Sequence, residues 1–212
     1  MTSPTEALDA LREGNQRFVA ADIGQGPIAG RIHQAGMSGG QEPFAIVLAC
    51  SDSRVPVELI FDQGIGDLFV IRVAGNIVAP SQIGSIEFAA SEFGTRLVVV
   101  LGHTNCGAVA ATLKELSLLE THRSPNLRAI VDRVRPAVEP VIAAKADRGV
   151  DELMEAAVRA NIRASVSRLA HGSLILEQMI GAGDLVVVGA EYSIETGVVE
   201  FFDHSGMNKN HD

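Results

Sequence analysis

The stretch "FAIVLAC", residues 44–50, is an unbroken apolar run that ends in a cysteine. Two more runs of this kind follow, "LFVIRVAG" at 68–75 and "RLVVVLGH" at 96–103, and "SQIGSIEFAASEF" at 81–93 between them has the pattern of a helix. Continuous apolar runs are typical of strands that are buried on both faces of a sheet. The alternation of such strands with helices predicts an α/β fold, with a mainly parallel central β-sheet flanked by helices.

The second half of the chain has helical patterns followed by two strand patterns. Helices are predicted over 126–148 and 151–170, and Pro136 and Pro140 are expected to break or kink the first of them. "DLVVVGAEYSIETGVVEFFD", at 184–203, predicts two strands joined by a tight turn. We expect the last of these to be an antiparallel edge strand of the sheet.

The N-terminal segment "MTSPTEALDALREGNQRFVAAD" has the pattern of an amphipathic helix, and a glycine-rich stretch follows it. Such a stretch would let the helix swing out as an arm. We therefore predict a single domain over residues 1–212. It consists of an N-terminal helical arm and loop (1–40), an α/β core (41–205) and a polar tail (206–212).

The composition excludes several classes of protein. The chain is 47% hydrophobic and 20% charged, which is sufficient for a sizeable core, and its net charge of -9 argues against a nucleic-acid partner. No apolar run reaches the roughly 18 residues of a membrane span, and the first helix carries acidic residues that a signal peptide lacks. We expect a cytoplasmic protein that binds neither nucleic acid nor membrane, with its two cysteines reduced.

Two short motifs, "CSDSR" and "GHTNCG", place metal-binding side chains at the ends of predicted strands. Cys50 ends one strand, and His103 and Cys106 flank a strand-to-helix turn, so all three face the edge of the sheet where ligands bind. Two thiolates and one imidazole suit zinc, and three protein ligands leave a fourth position open for water or substrate. Asp52 is near enough to Cys50 to fill that position or to hydrogen-bond whatever fills it.

Each part of this cluster has an ordinary structural explanation when it is taken alone. A cysteine at a strand end is usually a small buried apolar residue, and a single histidine is usually solvated or internally bonded. Asp52 and Arg54 alone could form a surface ion pair of little energetic value. The coincidence of both cysteines, the histidine and the Asp–Arg pair at one edge favours a metal site.

Two longer segments carry a resemblance to a known family. "ACSDSRVPVELIFDQGIGDLFVIRVAGNIV" (49–78) and "GSIEFAASEFGTRLVVVLGHTNCGAV" (84–109) resemble the β-class carbonic anhydrases, and the likeness extends over about residues 5–205. The resemblance implies reversible hydration of carbon dioxide to bicarbonate and a proton, by attack of zinc-activated hydroxide. It implies one zinc ion per chain, held by Cys50, His103 and Cys106.

The resemblance also implies roles for other residues. Asp52 and Arg54 match the catalytic dyad that orients the hydroxide, and Asp52 is a possible fourth zinc ligand in a closed state. The expected substrate pocket consists of Gln41, Val55, Phe69, Ala74 and Phe88. The expected assembly is a homodimer or homotetramer in which the N-terminal helix embraces the neighbour and the active site lies at the subunit interface.

The sequence departs from the family pattern at two positions. Position 47 is Val rather than the tryptophan of a bicarbonate-binding pocket, although Arg72 and Tyr192 match other parts of that pocket. An enzyme that bicarbonate closes by binding at a separate site is therefore compatible with the sequence but less favoured. Phe88 stands where many members carry tyrosine, which removes one polar contact from the expected pocket.

Three other functions are compatible with some of these residues. Hydrolysis of carbonyl sulfide or carbon disulfide on the same zinc site is the nearest alternative. A binding module stabilised by a closed, four-ligand zinc site is a second. A cysteine phosphatase is a third, but only three residues separate Cys50 from Arg54, which is too few for the phosphate-binding loop of that chemistry.

Overall fold

The computed structural model describes residues 2–21, 40–117, 124–144 and 149–205, except for the side chains of residues 203 and 204. Most of the predicted glycine-rich loop and the whole of the predicted polar tail lie outside the described residues. Within the described part, no helix combines the length and the apolar character needed to cross a membrane.

Five strands form one sheet in the order β2-β1-β3-β4-β5. The first four are parallel to one another, and β5 runs antiparallel to β4 at one edge. This confirms the predicted mainly parallel sheet and its antiparallel C-terminal strand. The strands are β1 (Ala45–Ala49), β2 (Leu68–Arg72), β3 (Leu97–His103), β4 (Val186–Tyr192) and β5 (Val199–Ser205).

Helices cover both faces of the sheet. Successive residues of a strand face opposite sides, and β1 shows this directly: Ile46 and Leu48 join one buried cluster, while Val47 and Ala49 join the other. Helices α1 and α2 pack on the face of Val47, and α3 to α7 pack on the face of Ile46. The helices are α1 (Pro4–Val19), α2 (Val57–Ile60), α3 (Pro80–Glu92), α4 (Gly107–Ser117), α5 (Pro125–Ala144), α6 (Val150–His171) and α7 (Leu174–Gly181).

Helix α1, predicted as an arm, lies against the sheet of its own chain. It begins with a capping box between Ser3 and Glu6. Its apolar stripe of Ala7, Leu8 and Leu11 is buried in the cluster beside α2. This contact explains why the helix lies where it does, because an exposed stripe of this size would be unfavourable in water.

Helix α5 continues through both of its prolines, so of the break or kink predicted at Pro136 and Pro140 the break does not occur. Each proline removes one backbone donor from the helix. Both prolines are on the exposed side, where water can satisfy the freed carbonyl groups. On the opposite side Val134 and Val138 are completely buried, and this packing holds the helix together.

One buried ion pair joins α6 to the sheet. Arg159 Nε lies 2.8 Å from Glu191 Oε2, and the Glu191 side chain is only 5% exposed. Arg159 also forms an ion pair with Glu200 of the edge strand. Burial raises the pKa of Glu191, although the charge of Arg159 opposes this shift.

Candidate metal centre

Cys50, His103 and Cys106 meet at the carboxyl edge of the sheet. Cys50 follows β1, His103 ends the neighbouring strand β3, and Cys106 directly precedes α4. One ligand atom from each lies within 4.8 Å of the other two, and all three residues are buried. The structure thus brings together the three side chains that the sequence predicted as metal ligands.

The tautomer of His103 is suited to metal binding. Nδ1 lies 2.8 Å from the carbonyl oxygen of Thr104, so this nitrogen carries the proton and donates it. Nε2 is buried and has no hydrogen-bond partner among the described residues. A buried nitrogen lone pair without a partner is costly, and a metal ion would satisfy it.

The thiols of Cys50 and Cys106 lie next to each other and differ in pKa. Both are free thiols, and their sulfur atoms lie 4.0 Å apart. Hydrogen bonds from Cys106 and from the Gly75 N–H lower the pKa of Cys50, despite its burial. The pKa of Cys106 is raised by its hydrogen bond to Cys50 and by burial. Cys50 is therefore ready to bind as a thiolate, and a metal ion would displace the remaining proton from Cys106.

Asp52 is held beside the cluster by Arg54. The guanidinium donates to both carboxylate oxygens, from Nε at 2.9 Å and from Nη2 at 2.7 Å, and the backbone N–H of Arg54 adds a third bond at 3.0 Å. These bonds keep the pKa of Asp52 well below its usual range. Asp52 Oδ2 lies 3.8 Å from His103 Nε2. An ionised carboxylate thus lies beside the three candidate metal ligands.

Arg72, at the end of β2, fixes the loop that carries these groups. Its Nε donates to the carbonyl oxygen of Cys50 at 3.2 Å, and its Nη2 donates to the carbonyl oxygen of Asp52 at 2.6 Å. The family resemblance connected Arg72 with a bicarbonate pocket, and its hydrogen bonds to this loop were not predicted. Arg72 pairs with Ala49 of the neighbouring parallel strand, and Ala49 is the residue before Cys50. This pairing explains why Arg72 lies beside the loop.

Only some of the predicted pocket residues lie beside the cluster. Val55 is buried and its N–H bonds to the carbonyl oxygen of Asp52, and Ala74 begins the turn that contacts Cys50. Gln41 is exposed, in the segment before β1. Phe69 pairs with Ile46, four residues before Cys50.

That register separates the aromatic residues from the cluster. Four residues of strand correspond to about 13 Å. Phe88 is 51% exposed and packs against Phe69 and Phe93. Within one chain, the structure does not bring Phe69 and Phe88 to the Cys50–His103–Cys106 cluster.

Comparison with known proteins agrees with this geometry. The family model described as carbonic anhydrase matches residues 45–199. Carbonic anhydrase 2 of Mycobacterium tuberculosis is 39% identical over 205 residues, which cover 97% of this chain and 96% of that protein. The chain belongs to the β-carbonic anhydrase family. The resemblance carried by the segments 49–78 and 84–109 is thereby confirmed.

Solved β-carbonic anhydrases share the fold as well. The structure of the β-carbonic anhydrase CcaA superposes with a TM-score of 0.72 at 31% identity, covering 92% of this chain and 87% of that one. A tetrameric β-carbonic anhydrase of Sordaria macrospora superposes with a TM-score of 0.69 at 25% identity, covering 78% of this chain and 83% of that one. The site therefore lies in a fold that solved members of the family share.

Proposed function

We propose that this protein hydrates carbon dioxide reversibly to bicarbonate and a proton, with one zinc ion per chain held by Cys50, His103 and Cys106. The observation that carries this proposal is the buried cluster itself. Two thiols and an unpartnered imidazole nitrogen converge there, and the ionised Asp52 stands beside them. Membership of the β-carbonic anhydrase family supports the same reaction.

The spacing of the sulfur atoms fits zinc. A tetrahedral site with Zn–S bonds of about 2.3 Å places two sulfur atoms about 3.8 Å apart. The Cys50 and Cys106 sulfur atoms are 4.0 Å apart, so only a small adjustment is needed. Zinc with three protein ligands supplies an open position at which the pKa of water falls to about 7.

In this proposal Asp52 acts on the nucleophile. As a carboxylate it accepts a hydrogen bond from the attacking oxygen and so directs a lone pair of that oxygen toward the substrate carbon. Arg54 holds both carboxylate oxygens, which keeps Asp52 charged and prevents it from turning toward the metal. Carbon dioxide is neutral, so the apolar side chains of Val55 and Ala74 are suitable walls, and Gln41 is the proposed donor to a substrate oxygen.

Asp52→Asn tests this role. The variant keeps the shape of the side chain but loses its charge, so zinc content should be unchanged and turnover should fall by about 10²- to 10⁴-fold. The assay is stopped-flow carbon dioxide hydration, with zinc measured by elemental analysis. Asp184→Asn is the matched control, because Asp184 pairs with an arginine on the exposed surface. Hydration by Asp52→Asn at the wild-type rate would remove Asp52 from the mechanism.

The proposed assembly is a homo-oligomer that completes the pocket. The tetrameric β-carbonic anhydrases of Sordaria macrospora support self-association. The exposed ring of Phe88, with Phe69 beside it, gives an apolar surface far from the cluster of its own chain. In this proposal the two rings of one subunit line the pocket of its partner.

A further inference from the structure

The turn that contacts Cys50 is held in an unusual backbone conformation. Gly75 and Asn76 are consecutive residues in the left-handed region, with φ of 73° and 42°. Asparagine adopts this region at some cost, and two such residues in succession persist only where their surroundings fix them. The backbone N–H of Gly75 lies 3.3 Å from Cys50 Sγ and donates to it.

Two polar side chains of helix α6 fix this turn from the other side. Asn161 Nδ2 donates to the carbonyl oxygen of Gly75 at 2.8 Å, and Ser165 Oγ donates to that of Asn76 at 3.1 Å. Asn161 is 1% exposed and Ser165 is completely buried. They are four residues apart and so share one face of the helix. Buried polar groups in the middle of a helix are costly unless they are paired, and both are paired with this one turn.

We propose that Asn161 and Ser165 are positioning residues for the metal centre: they hold the turn so that the Gly75 N–H points at the Cys50 sulfur. An N–H bond to a thiolate withdraws electron density from the sulfur, and groups around metal ligands tune the metal in this way. Two thiolates donate strongly to a metal, and this bond limits the donation from one of them. The inference rests on the proposed zinc function. It assigns to α6 an influence on the pKa of the water that zinc would activate at this site.

The direct probe is the protein with Co²⁺ in place of zinc. Thiolate-to-cobalt charge-transfer absorption moves to longer wavelength when the sulfur becomes more electron-rich. Ser165→Ala removes a single hydroxyl, and Asn161→Ala removes the amide donor, so both should shift this band to longer wavelength, with the larger shift in Asn161→Ala. Ser167→Ala, an exposed serine on the same helix, is the matched control and should leave the band unchanged.

A second readout is the pH profile of kcat/KM for the zinc enzyme. Its midpoint should rise by roughly half a pH unit in Ser165→Ala, the size expected for weakening one hydrogen bond. If Asn161→Ala fails to fold, Ser165→Ala alone decides. An unshifted band in a Ser165→Ala protein that binds one Co²⁺ per chain would overturn the proposal. Failure of the wild type to hydrate carbon dioxide would instead overturn the proposed function. The comparison of the cobalt charge-transfer bands between wild type and variants would still be valid.

Discussion

Gly102→Ala is expected to destabilise the protein at the point where β3 meets α6. A Cβ atom at position 102 would lie 2.5 Å from Cδ1 and 2.6 Å from Cγ1 of Ile162. Carbon atoms in contact are normally about 3.5–4.0 Å apart, so roughly 1 Å of movement is required. Rotation of the Ile162 side-chain end moves Cδ1 only. Cγ1 is restrained, because a β-branched side chain in a helix has essentially one χ1 rotamer.

The strand and the helix must therefore separate, and overpacking of this kind costs about 1–3 kcal/mol. For a domain of this size the melting temperature falls by about 2–4 °C per kcal/mol, so a decrease of roughly 2–12 °C is expected. Thermal unfolding at a fixed protein concentration is the assay, because stability of an oligomer depends on concentration. The adjacent residue is His103, so weaker zinc retention should accompany the lower melting temperature.

Two further variants isolate the clash. Gly181→Ala, at the end of α7, places its Cβ in open space and should change stability by no more than about 0.5 kcal/mol. Ile162→Ala costs about 2–5 kcal/mol by itself, but adding Gly102→Ala to it should cost less than adding it to the wild type. A Gly102→Ala penalty that is absent, or that is equal in both backgrounds, would refute the packing argument.

Three further predictions concern the metal, the assembly and the buried ion pair. Cys106→Ser should lose bound zinc, and a full zinc ion per chain in this variant, by elemental analysis, would contradict the ligand assignment. Phe88→Ser should shift the protein toward smaller species in sedimentation and reduce hydration; an unchanged assembly would show that the ring lies outside the interface. Arg159→Gln leaves Glu191 buried without its partner and raises its pKa further above the unfolded value. Stability gained from a raised pKa is present at low pH and is lost as pH rises through the folded pKa. Between mildly acidic and neutral pH, the melting temperature of this variant should therefore fall more than that of the wild type.

The Cys50–His103–Cys106 cluster and the sheet were predictable from local patterns. Strands buried on both faces are apolar at every position, so β1 and β3 stand out in the sequence. Because parallel strands end at one edge, Cys50 and His103 had to approach each other. The chemical type of the ligands then indicated the metal.

Other features depend on packing that a sequence does not reveal. Asn161 and Ser165 look like ordinary polar residues of a helix, and only their burial against the Gly75–Asn76 turn shows their role. Pro136 has the sequence signature of a helix end, but the buried valine face of α5 outweighs the lost hydrogen bonds. The distance of Phe69 from the cluster follows from its register with β1, which the motif alone did not specify.

A crystal structure with anomalous data at the zinc absorption edge tests the central claim most directly. We predict one zinc ion per chain, bound by Cys50 Sγ, His103 Nε2 and Cys106 Sγ. Solvent should occupy the fourth position, with Asp52 still held by Arg54. A zinc ion located elsewhere, or one surrounded by four protein side chains, would contradict the proposed catalytic centre.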